Sequence, residues 1–504
     1  MIILALPACR DDAAIADAEA ERAQVLLEQD RLAEARIAIN GAISAQDDIP
    51  DYYIKRGRIE FAAGSPEAAF DAYYDAIALD PSNFEALQAV SQLGLQIGRI
   101  RESLAATEAL LALSPEDETA LLTRGLHYYV RSKFEDAEDL ADRILELNPI
   151  NESGVILKSR VLFESDRREE ALLLLSTLDD VYPNSAGIAL TRLELFRANR
   201  NGPGMRQQFA ILRQEMPQRV DLRLDEANLL FKTGRSQAAL GLTVDAIVEG
   251  GANLDVAGDV IKLWNEFSAT EFTSEQIGRI GDAAAPSARS MVAEYLALAR
   301  KAEAARRLAA TLPQIEETSI LSQNAMYSGD LGTASAMAGS ILAQEESHCR
   351  ALTVRSWTSL RGRKPRAALS DAQQAASQCP EDRFAWTMIA TSYDALGDTT
   401  NAYRAWQQGS DELPQDSVYT ANFVQWLLER GRGRQALAVS RRLTRAAPAL
   451  LSGWQLYLQT CVTTGNPCSN EAQRGLSEAR SMYWIDFEPG ERPPEGLFGR
   501  IERI

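Results

Sequence analysis

Residues 51–81 read DYYIKRGRIEFAAGSPEAAFDAYYDAIALDP, and a glycine, an alanine and a proline stand at informative places in this stretch. Gly64, near the middle, permits the positive φ that ends one helix and turns the chain into the next. Ala69, between Gly64 and Pro81, leaves room for two antiparallel helices to approach closely. Pro81 ends the second helix, because proline cannot continue an interior hydrogen-bond ladder. The stretch therefore predicts a helical hairpin.

The same residue types recur along the chain at a fixed spacing. Prolines follow one another at a constant interval in two series, Pro81, Pro115, Pro149, Pro183 and Pro217, and then Pro380, Pro414 and Pro448. Glycines also recur at one place in the repeat, the place that Gly64 has relative to Pro81. They are Gly64, Gly98, Gly234, Gly329, Gly397, Gly431 and Gly465. Alanines recur at the place that Ala69 has relative to Pro81, and we call them the register alanines. They are Ala69, Ala137, Ala171, Ala239, Ala334, Ala368, Ala402 and Ala436. A fixed period of this length indicates stacked repeats, each burying its apolar face against the next.

These residues resemble the tetratricopeptide repeat, a helix-turn-helix family with a period of about 34 residues. A second good unit is FAWTMIATSYDALGDTTNAYRAWQQGSDELP, residues 384–414. The resemblance covers residues 50–251 and 315–482, and residues 13–47 read as one more hairpin. It implies an all-α, right-handed superhelical solenoid of antiparallel helical hairpins, about fourteen in number.

The pattern divides the chain into five predicted segments. They are a residual lipoprotein signal and tether (1–12), an N-terminal array (13–251), degenerate helical repeats or a hinge (252–314), a C-terminal array (315–482) and a C-terminal tail (483–504). From Leu254 to Pro313 helix-like stretches continue without the glycine, alanine and proline register. A degenerate pair of repeats and a helical spacer between two arrays both remain open there.

Composition and motifs exclude several classes of function. The formal net charge of -19 disfavours a nucleic-acid surface, which needs clustered basic residues. The two histidines, His127 and His348, are too few and too far apart for a metal cluster or a His-based triad. No phosphate-binding loop, zinc-protease helix or nucleophile elbow occurs. We expect no catalytic residues, no metal, no cofactor and no small-molecule substrate, and we expect His127 to be a packed or groove residue.

In the family that the repeats resemble, the first helix of each unit lines the concave surface and determines the ligand. Aromatic residues occupy one equivalent late place in four such helices: Phe61, Tyr129, Phe163 and Phe231. With the inward positions Arg58 and Arg160 they form a candidate groove for an extended peptide or an amphipathic helix. The alternative is that the aromatic side chains only pack between neighbouring hairpins.

Four of the five cysteines stand at the ends of predicted helices. Cys349 opens the first helix of a hairpin and Cys379 closes the second, so antiparallel packing brings them together. Cys461 and Cys468 flank a turn in the last unit. Two disulfide bonds are therefore predicted, and Cys9 is left over.

Cys9 follows an apolar stretch, and Leu6, Pro7, Ala8 and Cys9 resemble the lipidation box of bacterial lipoproteins. We expect the rest of a signal to lie upstream of the assigned start, with Cys9 lipidated and the protein facing the periplasm. Even pairing of the other four cysteines fits an oxidising compartment. The alternative is a cytosolic protein with ordinary thiols.

The C-terminal tail, residues 483–504, carries three prolines and a group of aromatic residues, Trp484, Phe487 and Phe498. It is expected either to cap the last repeat or to form a docking segment for a partner.

The expected function is a non-enzymatic protein-binding scaffold, tethered to the membrane and assisting assembly or secretion of an envelope component. Lipid-anchored members of the resembled family often serve in such pathways, and this resemblance alone carries the expectation. The alternatives are a cytosolic adaptor or co-chaperone and, more distantly, a regulatory array of an enzyme.

Overall fold

The computed structural model describes residues 12–480 and Met482, and this part of the chain contains 28 α-helices and no strand. This number is the one expected from fourteen hairpins, and the predicted all-α solenoid is confirmed. Cys9 and the tail residues Trp484, Phe487 and Phe498 lie outside the described residues. No described helix is long and apolar enough to cross a membrane.

The chain divides into two compact units, with the division between Leu195 and Phe196. The first unit contains α1 (Asp12–Glu28), α2 (Leu32–Ala45), α3 (Pro50–Ala62), α4 (Pro66–Leu79), α5 (Phe84–Gln96), α6 (Ile100–Leu113), α7 (Glu118–Val130), α8 (Phe134–Leu147), α9 (Glu152–Glu164), α10 (Arg168–Ser176) and most of α11 (Ala186–Ala198).

The second unit begins at the end of α11, and both boundaries predicted at 251/252 and 314/315 fall inside it. It contains α12 (Gly202–Glu215), α13 (Val220–Lys232), α14 (Ser236–Glu249), α15 (Leu254–Phe267), α16 (Ser274–Ala283), α17 (Pro286–Leu298), α18 (Ala302–Ala309), α19 (Gln314–Ser328), α20 (Leu331–Leu342), α21 (Cys349–Arg361), α22 (Pro365–Gln378), α23 (Arg383–Ala395), α24 (Thr399–Glu412), α25 (Ser417–Glu429), α26 (Gly433–Ala446), α27 (Leu451–Thr464) and α28 (Ser469–Ala479).

The alanine register explains how the paired helices approach each other. All eight register alanines, from Ala69 to Ala436, have no exposed surface. Glycine adopts a positive φ at the turn between the two helices of a hairpin, as predicted: φ is 70° at Gly64 and 77° at Gly397. Units without a glycine use another residue in the same left-handed conformation: Ser132, Asp166, Arg200 and Arg363 have φ between 54° and 61°. The backbone register is therefore more regular than the glycine pattern.

Residues 254–309 form α15 to α18, which continue the layer order of their neighbours. First helix α15 packs against α13 and α17, and second helix α16 packs against α14 and α18. The helix starts Leu254, Pro286 and Gln314 follow one another more closely than the starts of regular first helices, such as Glu118 and Glu152, so these units are shortened. One apolar core runs without interruption from Ala227 to Ile320, as degenerate repeats would require.

The centre of this core is Trp264, which has no exposed surface. Its indole Nε1 donates to Thr243 Oγ1 at 2.9 Å, and Phe272 packs edge-on with the ring centroids 4.8 Å apart. Tyr295 Oη donates to the carbonyl of Ala269 at 2.8 Å. The middle core thus combines large aromatic side chains with buried small residues such as Ala293 and Ala297.

Within the second unit, the last hairpin also contacts earlier helices. Lys232 Nζ donates to the carbonyls of Ala449 at 3.0 Å and Ala479 at 2.7 Å, and to that of Met482. Glu266 accepts from the backbone N–H of Ser452 at 3.0 Å and from its hydroxyl. Burial lowers the pKa of Lys232 to about 7 and raises that of Glu266. These contacts hold the last hairpin against α13 and α15.

Candidate functional site

Five helices of the second unit, α15, α17, α19, α21 and α23, are the first helices of successive hairpins and pack side by side. Their exposed faces enclose a cleft of about 570 Å³. Its apolar lining comes from Leu254, Ile261, Met291, Leu298 and Phe384. Its charged lining comes from Glu294, Glu316, Arg350, Glu381, Asp382 and Arg383. We refer to this site below as the cleft.

Arg350 is the hub of the charged lining. Its Nη2 contacts Glu294 Oε2 on α17 at 2.7 Å, and its Nη1 contacts Glu316 Oε2 on α19 at 3.0 Å. Gln323 Nε2 donates to Glu294 at 3.1 Å, and Ser290 Oγ donates to Glu316 at 2.8 Å. One guanidinium therefore joins three consecutive first helices.

The pKa values in this network follow from burial and pairing. Burial alone would raise the pKa of Glu294 and lower that of Arg350, but their mutual attraction reverses both shifts. His348, whose Nε2 lies 3.7 Å from Glu316 Oε1, acts with Ser290 and Arg350 to lower the pKa of Glu316 to about 2. Both glutamates are thus ionised at neutral pH, and the network is fixed before a ligand arrives.

A second group of charges stands at the start of α23. Asp382 caps this helix by accepting from the N–H of Phe384 at 2.8 Å. Burial, and then the charge of Glu294, raise the pKa of Asp382 to about 7. Arg383 pairs with Asp416 at 3.3 Å, whereas Glu381 is exposed and has no ion-pair partner among the described residues. Among the described residues, Glu381 is therefore a carboxylate of this group that has no cation partner.

The rim of the cleft includes the first predicted cysteine pair. Cys349 and Cys379 are bonded at 2.05 Å and join the start of α21 to the end of α22. Cys349 stands between His348 and Arg350, so the bond restrains the segment that supplies the hub. The second pair, Cys461 and Cys468, is bonded at 2.02 Å in the last hairpin.

The structure does not place the candidate groove residues on one exposed surface. Tyr129 and Phe231 are only 9% and 6% exposed, whereas Phe61 is 60% exposed. Phe231 stacks on Phe267 with centroids 5.0 Å apart, as the packing alternative expects. Phe163 is half-buried beneath the Arg168 guanidinium.

The two arginines of the candidate groove also differ from each other. Arg58 is exposed and pairs with Glu85 at 2.6 Å, whereas Arg160 is only 6% exposed and burial lowers its pKa. His127 is packed, one of the two roles predicted for it, with Nε2 2.9 Å from Ser103 Oγ, and burial lowers its pKa.

The cleft was not predicted from the sequence, although one signal for it is present there. Glu316 and Arg350 are one repeat period apart in sequence and so take equivalent places on neighbouring first helices. An acidic and a basic residue at equivalent places predict an ion pair between units. Glu294 lies in a shortened unit, so the fixed register could not align it with them.

Comparisons with known proteins agree with the repeat assignment. A family model described as a tetratricopeptide repeat matches residues 20–84 and 92–151. No curated protein matches the chain significantly.

Solved structures similar to this chain include a tetratricopeptide repeat protein from Parabacteroides merdae, 18% identical, covering 50% of this chain and 98% of that one with a TM-score of 0.42. The type IV pilus biogenesis factor PilW is 18% identical and covers 40% of this chain and 94% of its own, with a TM-score of 0.35. YrrB, described as having an unusual peptide-binding site, is 16% identical and covers 36% of this chain and 91% of its own, with a TM-score of 0.32.

Proposed function

We propose that the chain is a tetratricopeptide repeat protein, that its cleft binds a segment of another protein and that the chain acts as a non-enzymatic scaffold. The observation that carries this proposal is the convergence of five first helices on one cleft with both apolar and charged walls. Its volume of about 570 Å³ is in the range of ligand-binding clefts, about 300–1,000 Å³. Stacked repeats commonly bind through such extended surfaces.

The fixed charges of the cleft support binding rather than simple packing. Arg350, Glu294 and Glu316 are held by one another and by neighbouring helices, so a ligand would not have to order them. Preorganisation of this kind lowers the entropic cost of association.

The test compares two variants of the full-length protein, each with one substitution in the second unit. Each variant is isolated from native cells after reversible cross-linking to its partners. Leu298→Glu places a charge in the apolar wall of the cleft, and Val462→Glu places the same charge at a site that is 67% exposed outside it. Quantitative mass spectrometry should show defined proteins that are lost with Leu298→Glu and retained with Val462→Glu, while both variants keep the native melting temperature. Retention of the same proteins by both folded variants would contradict the proposal.

We also propose that the scaffold faces the periplasm, is anchored by a lipid on Cys9, and helps to assemble or secrete an envelope component. Two observations support this placement. Four of the five cysteines are bonded in pairs, as in proteins of oxidising compartments, and the residues that precede Cys9 resemble a lipidation box.

The anchor is tested by the intact mass of protein made from its own genomic locus, measured without reduction. The expected species begins at Cys9, carries lipid and has both disulfide bonds, and Cys9→Ser should release the protein from the membrane fraction. A chain that begins at Met1 with free thiols would favour the cytosolic adaptor instead.

A further inference from the structure

We propose that the segment taken by the cleft presents a lysine or arginine side chain beside an aliphatic or aromatic one. This inference rests on the proposed function and names the chemical class of the partner segment. Three features of the cleft lead to it: the commitment of its own cations, the carboxylates left over, and the apolar wall next to them.

Both guanidinium groups of the cleft are already used within the protein. Arg350 is shared by Glu294 and Glu316, and Arg383 pairs with Asp416 on the next first helix. A ligand carboxylate would compete with these acidic partners, and a displaced carboxylate would lose a partly buried ion pair. Breaking such a pair is costly, so an acidic segment is disfavoured.

Two further carboxylates of the cleft stand at the start of α23. Glu381 is exposed without an ion-pair partner among the described residues, and Asp382 next to it makes only the helix cap described above. Burial is the main cause of the raised pKa of Asp382 and the charge of Glu294 adds to it, while the charge of Arg350 acts in the opposite direction. A cation entering here would be attracted and would favour the ionised form of Asp382.

The apolar wall lies within reach of these carboxylates. Phe384 is two residues from Asp382, and Leu298 and Ile261 line the same cleft from α17 and α15. The methylene stem of a lysine or arginine packs on such a surface while its charged end reaches a carboxylate. An adjacent aliphatic or aromatic side chain would fill the remaining apolar space.

The experiment selects random dodecapeptides displayed on phage against the full-length protein, with Leu298→Glu as the counter-selection. Peptides retained only by the native cleft should be enriched in lysine or arginine next to a large apolar residue. The best peptide is then synthesised, and its affinity is measured by calorimetry in 50 mM and 500 mM NaCl. Replacing its cation by glutamine should weaken binding about tenfold, which corresponds to about 1.4 kcal/mol.

The carboxylate that is expected to pair with the peptide cation is tested with Glu381→Gln. The matched control is Glu275→Gln, because Glu275 is an exposed residue of α16 outside the cleft. Glu381→Gln should weaken the cationic peptide severalfold, leave its glutamine analogue unchanged and reduce the salt dependence, whereas the control changes nothing. Cleft-dependent peptides without enrichment in lysine or arginine would overturn this inference and leave the proposed function intact. Failure to obtain any cleft-dependent peptide would count against both.

Discussion

The hairpins of residues 349–446 and the four helices of residues 254–309 have the same layer order but are held together differently. In the regular hairpins, register alanines such as Ala368 and Ala402 have no exposed surface and let paired helices approach closely. In the middle, α16 and α18 have only 10 and 8 residues, and Trp264 fills the space between helices. A repeat can therefore lose its register and have shorter second helices and still keep its place in the layers.

The difference also shows where a site can arise. In the regular units an ion pair between first helices joins direct neighbours, as between Arg430 and Asp394 at 2.6 Å. Beside the shortened units, Arg350 reaches past α19 to Glu294 on α17, 56 residues away in sequence. The cleft lies where irregular and regular units meet.

The largest expected effect comes from the centre of the middle core. Trp264→Ala should lower the free energy of unfolding of the second unit by about 3–5 kcal/mol, because it leaves a large buried cavity. Phe423→Ala in a regular hairpin, where Phe423 is 1% exposed, should cost a similar amount. Urea denaturation followed by circular dichroism measures both. A cost below about 1 kcal/mol for Trp264→Ala alone would show that the middle is a loose spacer.

The next largest effect concerns the two disulfide bonds. Cys349 and Cys379 are separated by 30 residues, whereas Cys461 and Cys468 are separated by 7. Loop-closure entropy then predicts losses of about 3.5 and about 2.5 kcal/mol when each pair is replaced by serine. Urea denaturation of the two double variants would show whether the longer loop at the cleft contributes more. The reverse order would contradict this account.

A moderate effect is expected from overfilling a regular hairpin. Ala368→Leu should cost about 1–3 kcal/mol, because Ala368 is fully enclosed between α21 and α22. Ala367→Leu is the matched control, since Ala367 is exposed and directly precedes Ala368, and it should cost less than about 0.5 kcal/mol. Equal melting temperatures for the two variants would refute the packing role assigned to the register alanine.

The smallest effect is the pH dependence contributed by Asp382. Because its pKa is raised from 3.8 to about 7, the folded state holds a proton that the unfolded state releases at lower pH. Its contribution to stability is therefore fully present below about pH 4 and is lost as the pH rises through 7. Asp382→Asn keeps a helix-capping side chain and removes this dependence.

The free energy of unfolding of Asp382→Asn relative to the native protein should accordingly rise by about 1–2 kcal/mol between pH 4 and pH 8, since Asp382 is partly exposed and solvent screens its charge. Urea titrations at several pH values measure this difference. A difference that is constant over the range, or that falls, would contradict the raised pKa.

The regular units can be predicted from the sequence, because the same residue type has the same structural role at the same place in each repeat. Ala137 and Ala436 are fully buried as expected, and the cysteine spacings bring the predicted partners together. The glycine rule is less complete, since Asp166 and Arg363 adopt the same positive φ under tertiary constraint. The cleft escapes prediction because Glu294 reaches Arg350 only through the shortened spacing, which no fixed period can align.

The central claim is that a partner binds at the cleft between irregular and regular units. The most direct measurement places a photo-cross-linking benzoylphenylalanine at Leu298, the last residue of α17, and separately at Glu429, the exposed last residue of α25 in a regular hairpin. Irradiation of native cells should give a discrete cross-linked species from Leu298 and none from Glu429, and mass spectrometry should locate the attachment beside a lysine or arginine of the partner. The same species from both positions, or one from Glu429 alone, would contradict the account.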